Sequence, residues 1–425
     1  MTLTDEPIFA ADGLDEPVLE SEVRSYSRRI SATFASASGS RITDTDGQEY
    51  LDFLAGCSAL NYGHNDPDMA AALVAYISRG GVTHGLDLQT EARTDFLTAV
   101  HDTLLQPRSL DYRVQFTGPT GTNAVEAAIK LARKVTGRTN VIAFTNGFHG
   151  VTAGSLAATG NQSHRMAPYV PLVGVSRALF DGYLGPDVNT AELLEKMLGD
   201  QSSGIDPPAA ILLETLQCEG GLNTASDEWL RDIRRIANKF GALLIVDDIQ
   251  AGCGRTGPFF SFESAGITPD IVALSKSLSG IGLPLSVLLL KHDLDAWSPG
   301  EHNGTFRGNN LAFLTATVAL EKFWSNDDLT RDIEHKSAII TAKLTDLAAT
   351  IPGAFVKGKG MALGIETHAS PRAGAIATAC FERNMILETA GPSDTVVKLL
   401  PPLTISQSDL EVGLDILTEA VQATA

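Results

Sequence analysis

A lysine, two aspartates and a glutamine stand in this chain where apolar strands run out. The segment Pro269-Asp-Ile-Val-Ala-Leu-Ser-Lys276-Ser-Leu-Ser-Gly280 carries an apolar strand, Ile271 to Leu274, straight into a lysine and then a small Gly-containing loop. Open α/β sheets hold their reactive groups at the carboxyl ends of strands. A lysine held there can be partly desolvated and present a free amine, the nucleophile that forms Schiff bases with carbonyl compounds. Taken alone, Lys276 reads better as a strand-capping surface lysine; its company reverses that.

Five further segments carry chemistry. Gly118-Pro-Thr-Gly121-Thr122-Asn123 opens a helix, Ala124 to Val135, whose apolar stripe is Ala124, Ala127, Ala128, Leu131 and Val135. Such a turn offers free backbone N–H groups and a positive dipole end to an anion. It has neither the Gly-Lys-Ser/Thr of a nucleotide loop nor the G-x-G-x-x-G spacing, and read alone it fits a tight strand-to-helix turn equally well. Asn146-Gly-Phe148-His149-Gly150 puts an aromatic where it can lie against a planar ligand or pack on its own domain. In Leu244-Ile-Val-Asp247-Asp248-Ile249-Gln250 a buried strand delivers two carboxylates. One of them opposite a pyridine nitrogen would keep that nitrogen protonated, and Gln250 can donate to a phenolic oxygen. For Asp248 a helix cap fits as well; a metal site lacks an obvious third oxygen ligand. Glu214-Thr-Leu-Gln217-Cys218-Glu219-Gly220-Gly221 is another strand end with carboxylates, and Gly300-Glu-His-Asn-Gly-Thr305-Phe-Arg307-Gly-Asn-Asn310 is a polar loop with a hydroxyl and an arginine suited to carboxylates. Phosphate, ring face, ring nitrogen, phenolic oxygen and aldehyde are the five handles of one common cofactor, pyridoxal 5'-phosphate.

The elements that must position these groups alternate. Strand patterns at 114–116, 141–144, 210–213, 243–246, 271–274 and 285–290 have helical periodicity between them, as in Glu228–Phe240. That pattern predicts an α/β fold, a large domain whose mostly parallel sheet is covered by helices, plus a smaller α+β domain. The boundaries expected are an N-terminal segment (1–65) joining the small domain, a large cofactor domain (66–325) and a C-terminal small domain (326–425). Residues 1–40 read as a polar meander, 41–53 as two short strands about the turn Asp44-Thr-Asp-Gly47, and 409–422 as a closing helix. With 51 acidic against 32 basic residues, the net charge of -19 argues against nucleic-acid or anionic-membrane partners. Four cysteines without a C-x-x-C pair fit a reducing compartment with no zinc, and no apolar leader is present, so the chain reads as cytoplasmic.

With those residues in view, the chain resembles the class III pyridoxal-phosphate aminotransferases of fold type I, over roughly residues 20–420. Their phosphate motif matches Thr120-Gly121-Thr122-Asn123-Ala-Val-Glu126, and their Asp-Glu-Val-Gln signature appears as Asp247-Asp248-Ile249-Gln250. The resemblance implies that Lys276 is the Schiff-base lysine and Asp247 the partner of the ring nitrogen. It implies that Gly121 and Thr122 hold the phosphate, that Phe148 and Ile249 sandwich the ring, and that His149 and Gln250 border it. It also implies a homodimer or dimer of dimers, in which Thr305 reaches the phosphate of the neighbouring subunit. Runs such as Ala59-Leu-Asn-Tyr62-Gly-His64-Asn65 and Val396-Val-Lys398-Leu-Leu-Pro-Pro-Leu-Thr-Ile405 are similar to the branch that opens ectoine synthesis. That branch moves the amino group of L-glutamate to L-aspartate 4-semialdehyde. The chain departs from its relatives at Cys218 (usually glycine), at Val151 and Lys398 (arginine in ornithine-type members) and at Leu363. Substrate recognition is therefore expected from Glu219, Lys398, Arg307 and Tyr62, with Glu219 and Lys398 as a pair that opens for one substrate and closes for the other. Another ω-amino-acid or semialdehyde transaminase, an aminomutase, or a non-enzymatic ligand-binding relative are the competing readings.

Overall fold

The computed structural model describes residues 20–166 and 170–424. Its N-terminal part is an antiparallel meander of β1 (Phe34–Ser38), β2 (Arg41–Asp44) and β3 (Glu49–Asp52). The expected meander of residues 1–40 thus ends in a strand: the Ser-rich β1 gains its order by pairing with β2. Residues 1–19 lie outside the described residues.

The principal sheet holds β4 (Tyr112–Phe116), β5 (Asn140–Phe144), β6 (Val175–Ala178), β7 (Pro208–Leu213), then, after the short ladder of β8 (Leu216–Gln217) with β9 (Asn223–Thr224), β10 (Leu243–Asp247), β11 (Ile271–Leu274) and β12 (Val287–Lys291). Their spatial order is β4-β12-β11-β10-β7-β5-β6. All neighbours are parallel except β12, which runs against both β11 and β4. All residues of β5, β7 and β11 are buried, as a sheet covered on both faces requires. The two-residue period sorts them: Ile142, Leu244, Val246 and Val272 enter one core, while Val141, Ala143, Ile245 and Ile271 enter the other. Helix 121–136 covers the second face with Ala124, Ala127, Ala128 and Leu131, whereas Val135 at its end is exposed. Helix 227–240 covers the first with Trp229, Leu230, Ile233 and Ile236.

The C-terminal part opens on helix 328–348 and adds β13 (Phe355–Lys359), β14 (Ala362–Glu366), β15 (Met385–Ile386), β16 (Glu388–Ala390) and β17 (Val396–Leu399). β13-β14-β17-β16 form an antiparallel sheet, covered by helices 328–348 and 370–381, on which helix 407–423 packs. β15 instead pairs in parallel with β3, Ile386 opposite Asp52, so the two ends of the chain share a sheet. No helix among the described residues is long and apolar enough to cross a membrane.

Candidate active site

The parallel strands β11, β10, β7 and β5 end on the same edge. Their carboxyl termini deliver Lys276, Asp247, Glu214 and the Phe148–His149 loop; β4, running the same way, delivers Gly118–Gly121. The turn carrying Lys276 is pinned from both sides. Ser275 Oγ donates to the Leu285 carbonyl (2.7 Å); Ser277 Oγ donates to Ser58 O (2.6 Å) and accepts from Asn61 N (2.9 Å). Lys276 itself sits at φ +53°, a left-handed conformation that a non-glycine residue adopts only when its surroundings impose it.

Asp247 is buried, and its Oδ2 lies 2.8 Å from Nδ1 of the equally buried His149. A carboxylate accepts, so His149 carries its proton on Nδ1 and donates. The imidazole therefore orients the carboxylate and leaves Oδ1 to the backbone N–H of Ile249 (3.2 Å) and to a ligand. Glu214 stands on the neighbouring strand. Burial, with the Asp247 carboxylate beside it, pushes its carboxyl well above the ordinary range, although the Phe148 N–H donates to it (2.9 Å). A proton kept on Glu214 relieves the repulsion between the two buried acids.

The anion cradle lies at the start of helix 121–136. Thr120 donates through N–H and hydroxyl to Asn123 Oδ1 (3.2 and 2.8 Å), which fixes the first turn. Among the described residues no acceptor meets the N–H groups of Gly121 and Thr122, and Thr122 Oγ1 joins Thr152 Oγ1 (2.7 Å) and Ser155 Oγ (2.6 Å). The cradle has no room to spare. A Cβ on Gly150, at φ +118°, would stand 2.4 Å from Thr122 Oγ1, and one on Gly121 would stand 2.9 Å from Ile249 Cδ1.

A third group faces this edge from the C-terminal sheet. Lys398 is fully buried, its Nζ 2.9 Å from Glu219 Oε1 and 2.8 Å from Glu388 Oε1. Burial alone would raise the Glu219 carboxyl, but the ammonium groups of Lys398 and Lys276 outweigh it and hold it well below the usual range. Gln250 Nε2 donates to the same Glu219 oxygen (3.0 Å), and Tyr26 OH donates to Glu388 Oε2 (3.0 Å) with Cys57 Sγ 2.8 Å away.

The expected residues are thus distributed unevenly. Lys276, Asp247, His149, Gln250 and Glu219 converge, Gly121, Thr122 and Ile249 share one packed corner, and Phe148 is half-buried above Glu214, edge-on to His164 at 5.6 Å. Tyr62 must be corrected. Its ring stacks on Phe323 at 4.9 Å and its hydroxyl accepts from Trp324 Nε1 (2.8 Å), so it is a core residue with no face for a substrate. Lys398 is not free for a substrate carboxylate either, since two glutamates hold it. Arg307 lies 3.7 Å from Asp87 and lines a cavity of about 350 Å³ with His84, Phe116, Phe313 and Pro119 of the cradle turn; Thr305 is exposed on the same loop. Gln250 donates to Glu219, where the sequence pointed it to a phenolic oxygen. Cys218 and Leu363 are buried in apolar packing, so their departures from the family do not line the edge; Val151 is exposed. Glu388, Glu214, Tyr26 and Cys57 escaped the sequence reading as site residues. Glu214 alone had a signal, being a carboxylate that follows an apolar strand.

A half-buried lysine at a strand end, a buried carboxylate held by a histidine and a helix start with free N–H groups have the chemistry that pyridoxal phosphate requires. The class-III aminotransferase family model matches residues 24–421. The chain is 56% identical over 408 residues to a diaminobutyrate–2-oxoglutarate transaminase of Vibrio parahaemolyticus, covering 96% of each, and 52% identical to one of Halalkalibacterium halodurans, covering 95% of each. Among solved structures, ornithine aminotransferase from Toxoplasma gondii superposes with a TM-score of 0.80 at 26% identity, covering 92% of this chain and 90% of that one. The chain belongs to the class-III aminotransferases.

Proposed function

We propose that the protein transfers the amino group of L-glutamate to L-aspartate 4-semialdehyde, yielding 2-oxoglutarate and L-2,4-diaminobutyrate, the amination with which ectoine synthesis starts. The observation that carries this is near-full-length likeness to transaminases of that name in a chain whose Lys276, Asp247 and Glu219 face one edge. Pyridoxal phosphate, when bound, supplies the carbonyl that captures the amine and the electron sink that stabilises the carbanion. Gly121 and Thr122 would hold its phosphate, and Phe148 and Ile249 its ring faces. The chain's own residues do the proton work. Asp247, oriented by His149, keeps a proton at the ring nitrogen. Lys276 would take a proton from the substrate carbon and return it, acting as base and then acid.

Glutamate reacts at its α-amino group and diaminobutyrate at its terminal one, so the distal wall must serve two poses. Glu219 can stay on Lys398 for glutamate, or turn to the α-ammonium of the other substrate. In a homodimer or pair of dimers, the exposed Thr305 would serve the neighbouring subunit's phosphate. A cytoplasmic setting agrees with four free cysteines.

The test is the half-reaction of cofactor-loaded protein, followed by the absorbance of the bound cofactor. L-2,4-Diaminobutyrate and L-glutamate should convert it rapidly; L-ornithine, 4-aminobutyrate and β-alanine should be slow. Rapid conversion by one of those three and none by diaminobutyrate would sink the substrate assignment and leave the class intact.

A further inference from the structure

Lys398 has two carboxylate partners, and the second is built into the sheet. Glu388 and Lys398 are directly opposed residues of antiparallel β16 and β17, so their side chains share a face. The contact is short (2.8 Å), and both groups are buried. Glu388 is held in turn by the Tyr26 hydroxyl at 3.0 Å, and Cys57 Sγ stands 3.8 Å from both its oxygens. Glu219 approaches the same ammonium from the β8–β9 segment and is the partner that also touches Gln250, beside Lys276.

Two consequences follow from charge. A buried ammonium with one partner cannot lose it cheaply, because an unpaired charge in the interior is strongly destabilising. With Glu388 fixed on Lys398, Glu219 can leave without stranding the lysine. Apart from Lys276, which the cofactor would engage, the wall counts two carboxylates, Glu219 and Glu388, against the one ammonium of Lys398. We propose that Glu388 is a specificity-determining positioning residue: it anchors Lys398 so that Glu219 is free to receive the distal ammonium of a diamino acid, and its charge favours that pose without excluding L-glutamate, for which Glu219 stays on Lys398. This rests on the transaminase reading above and specifies how that site chooses its substrate.

Glu388→Gln keeps shape and removes the charge. Lys398 would then hold Glu219 alone, and the wall would be neutral. The half-reaction with L-2,4-diaminobutyrate should slow by about tenfold or more, as for a lost charge-assisted bond. The half-reaction with L-glutamate should stay within about twofold or improve. Binding gives a second readout: in calorimetry on cofactor-loaded Lys276→Ala protein, adding Glu388→Gln should weaken diaminobutyrate about tenfold and leave glutamate unchanged or tighter. Tyr26→Phe, which removes only the hydroxyl that holds Glu388, should move the same ratio in the same direction by less, and Glu388→Asp should restore part of it. An equal fall for both substrates, or no change for either, overturns the proposal while the transaminase reading stands. Wild-type protein that does not convert diaminobutyrate at all overturns both.

Discussion

Replacing Gly121 with alanine asks whether the first turn of helix 121–136 and Ile249 form one surface for the cofactor. A Cβ at Gly121 would stand 2.9 Å from Cδ1 and 3.1 Å from Cγ2 of Ile249, closer than such atoms tolerate, so Ile249 must move. Two effects oppose each other. Alanine is the better helix former by at most about 1 kcal/mol, and by less at a first position. Overpacking costs about 1–3 kcal/mol where neighbours cannot yield. Ile249 can yield, because the clash falls on the far end of a half-buried side chain. The fold therefore escapes most of the cost, and the displaced isoleucine no longer backs the cofactor ring. The dissociation constant for pyridoxal phosphate should rise about 10–100-fold, equivalent to about 1.4–2.7 kcal/mol. The melting temperature of the cofactor-free protein should change by less than about 2 °C. Spectral titration of cofactor-free protein measures the first and calorimetry the second. Unchanged affinity, or a large loss of stability with unchanged affinity, would show that Gly121 and Ile249 do not meet at the cofactor.

Other outcomes follow from the same geometry. Asp247→Asn keeps the shape but gives up the charge that holds the ring proton, so turnover should fall about 10³-fold, read by steady-state kinetics with cofactor content measured alongside. Asp248 is buried with one oxygen unpartnered; burial lifts its carboxyl from an ordinary 3.8 to about 7. A raised carboxyl favours the fold at low pH and costs stability as pH climbs from about 4 through 7, a full cost of about 4 kcal/mol above that. Asp248→Asn should thus melt higher than wild type at pH 8.5, with the gap closing by pH 5; a gap independent of pH would refute it. Tyr62→Phe should cost about 1 kcal/mol of stability through its lost bond to Trp324 and leave the diaminobutyrate-to-glutamate ratio unchanged, as measured by denaturation and by half-reactions.

The cofactor chemistry was legible in the sequence because each part of it is local. An apolar strand followed by a lysine, an aspartate pair or a Gly-Thr turn states both the residue and its place at a strand's carboxyl end, and the alternating pattern alone implies that such ends share an edge. The distal wall is different in kind. Glu388 meets Lys398 only because β16 and β17 pair in one register, and Glu219, Tyr26 and Cys57 reach it from three other segments. The resemblance pointed to Glu219 with Lys398, but no spacing in the chain encodes the place of Glu388, Tyr26 and Cys57 beside them. Tyr62 failed for the same reason: its burial is decided by Trp324, 262 residues later, in a helix–loop packing invisible from its own neighbourhood. What this chain can do to an amine is written in short segments, because strand and turn propensities act over a few residues. The charges to which we assign the choice of amine come within 3 Å of each other only in the folded sheets, because strand register and not sequence spacing brings them together.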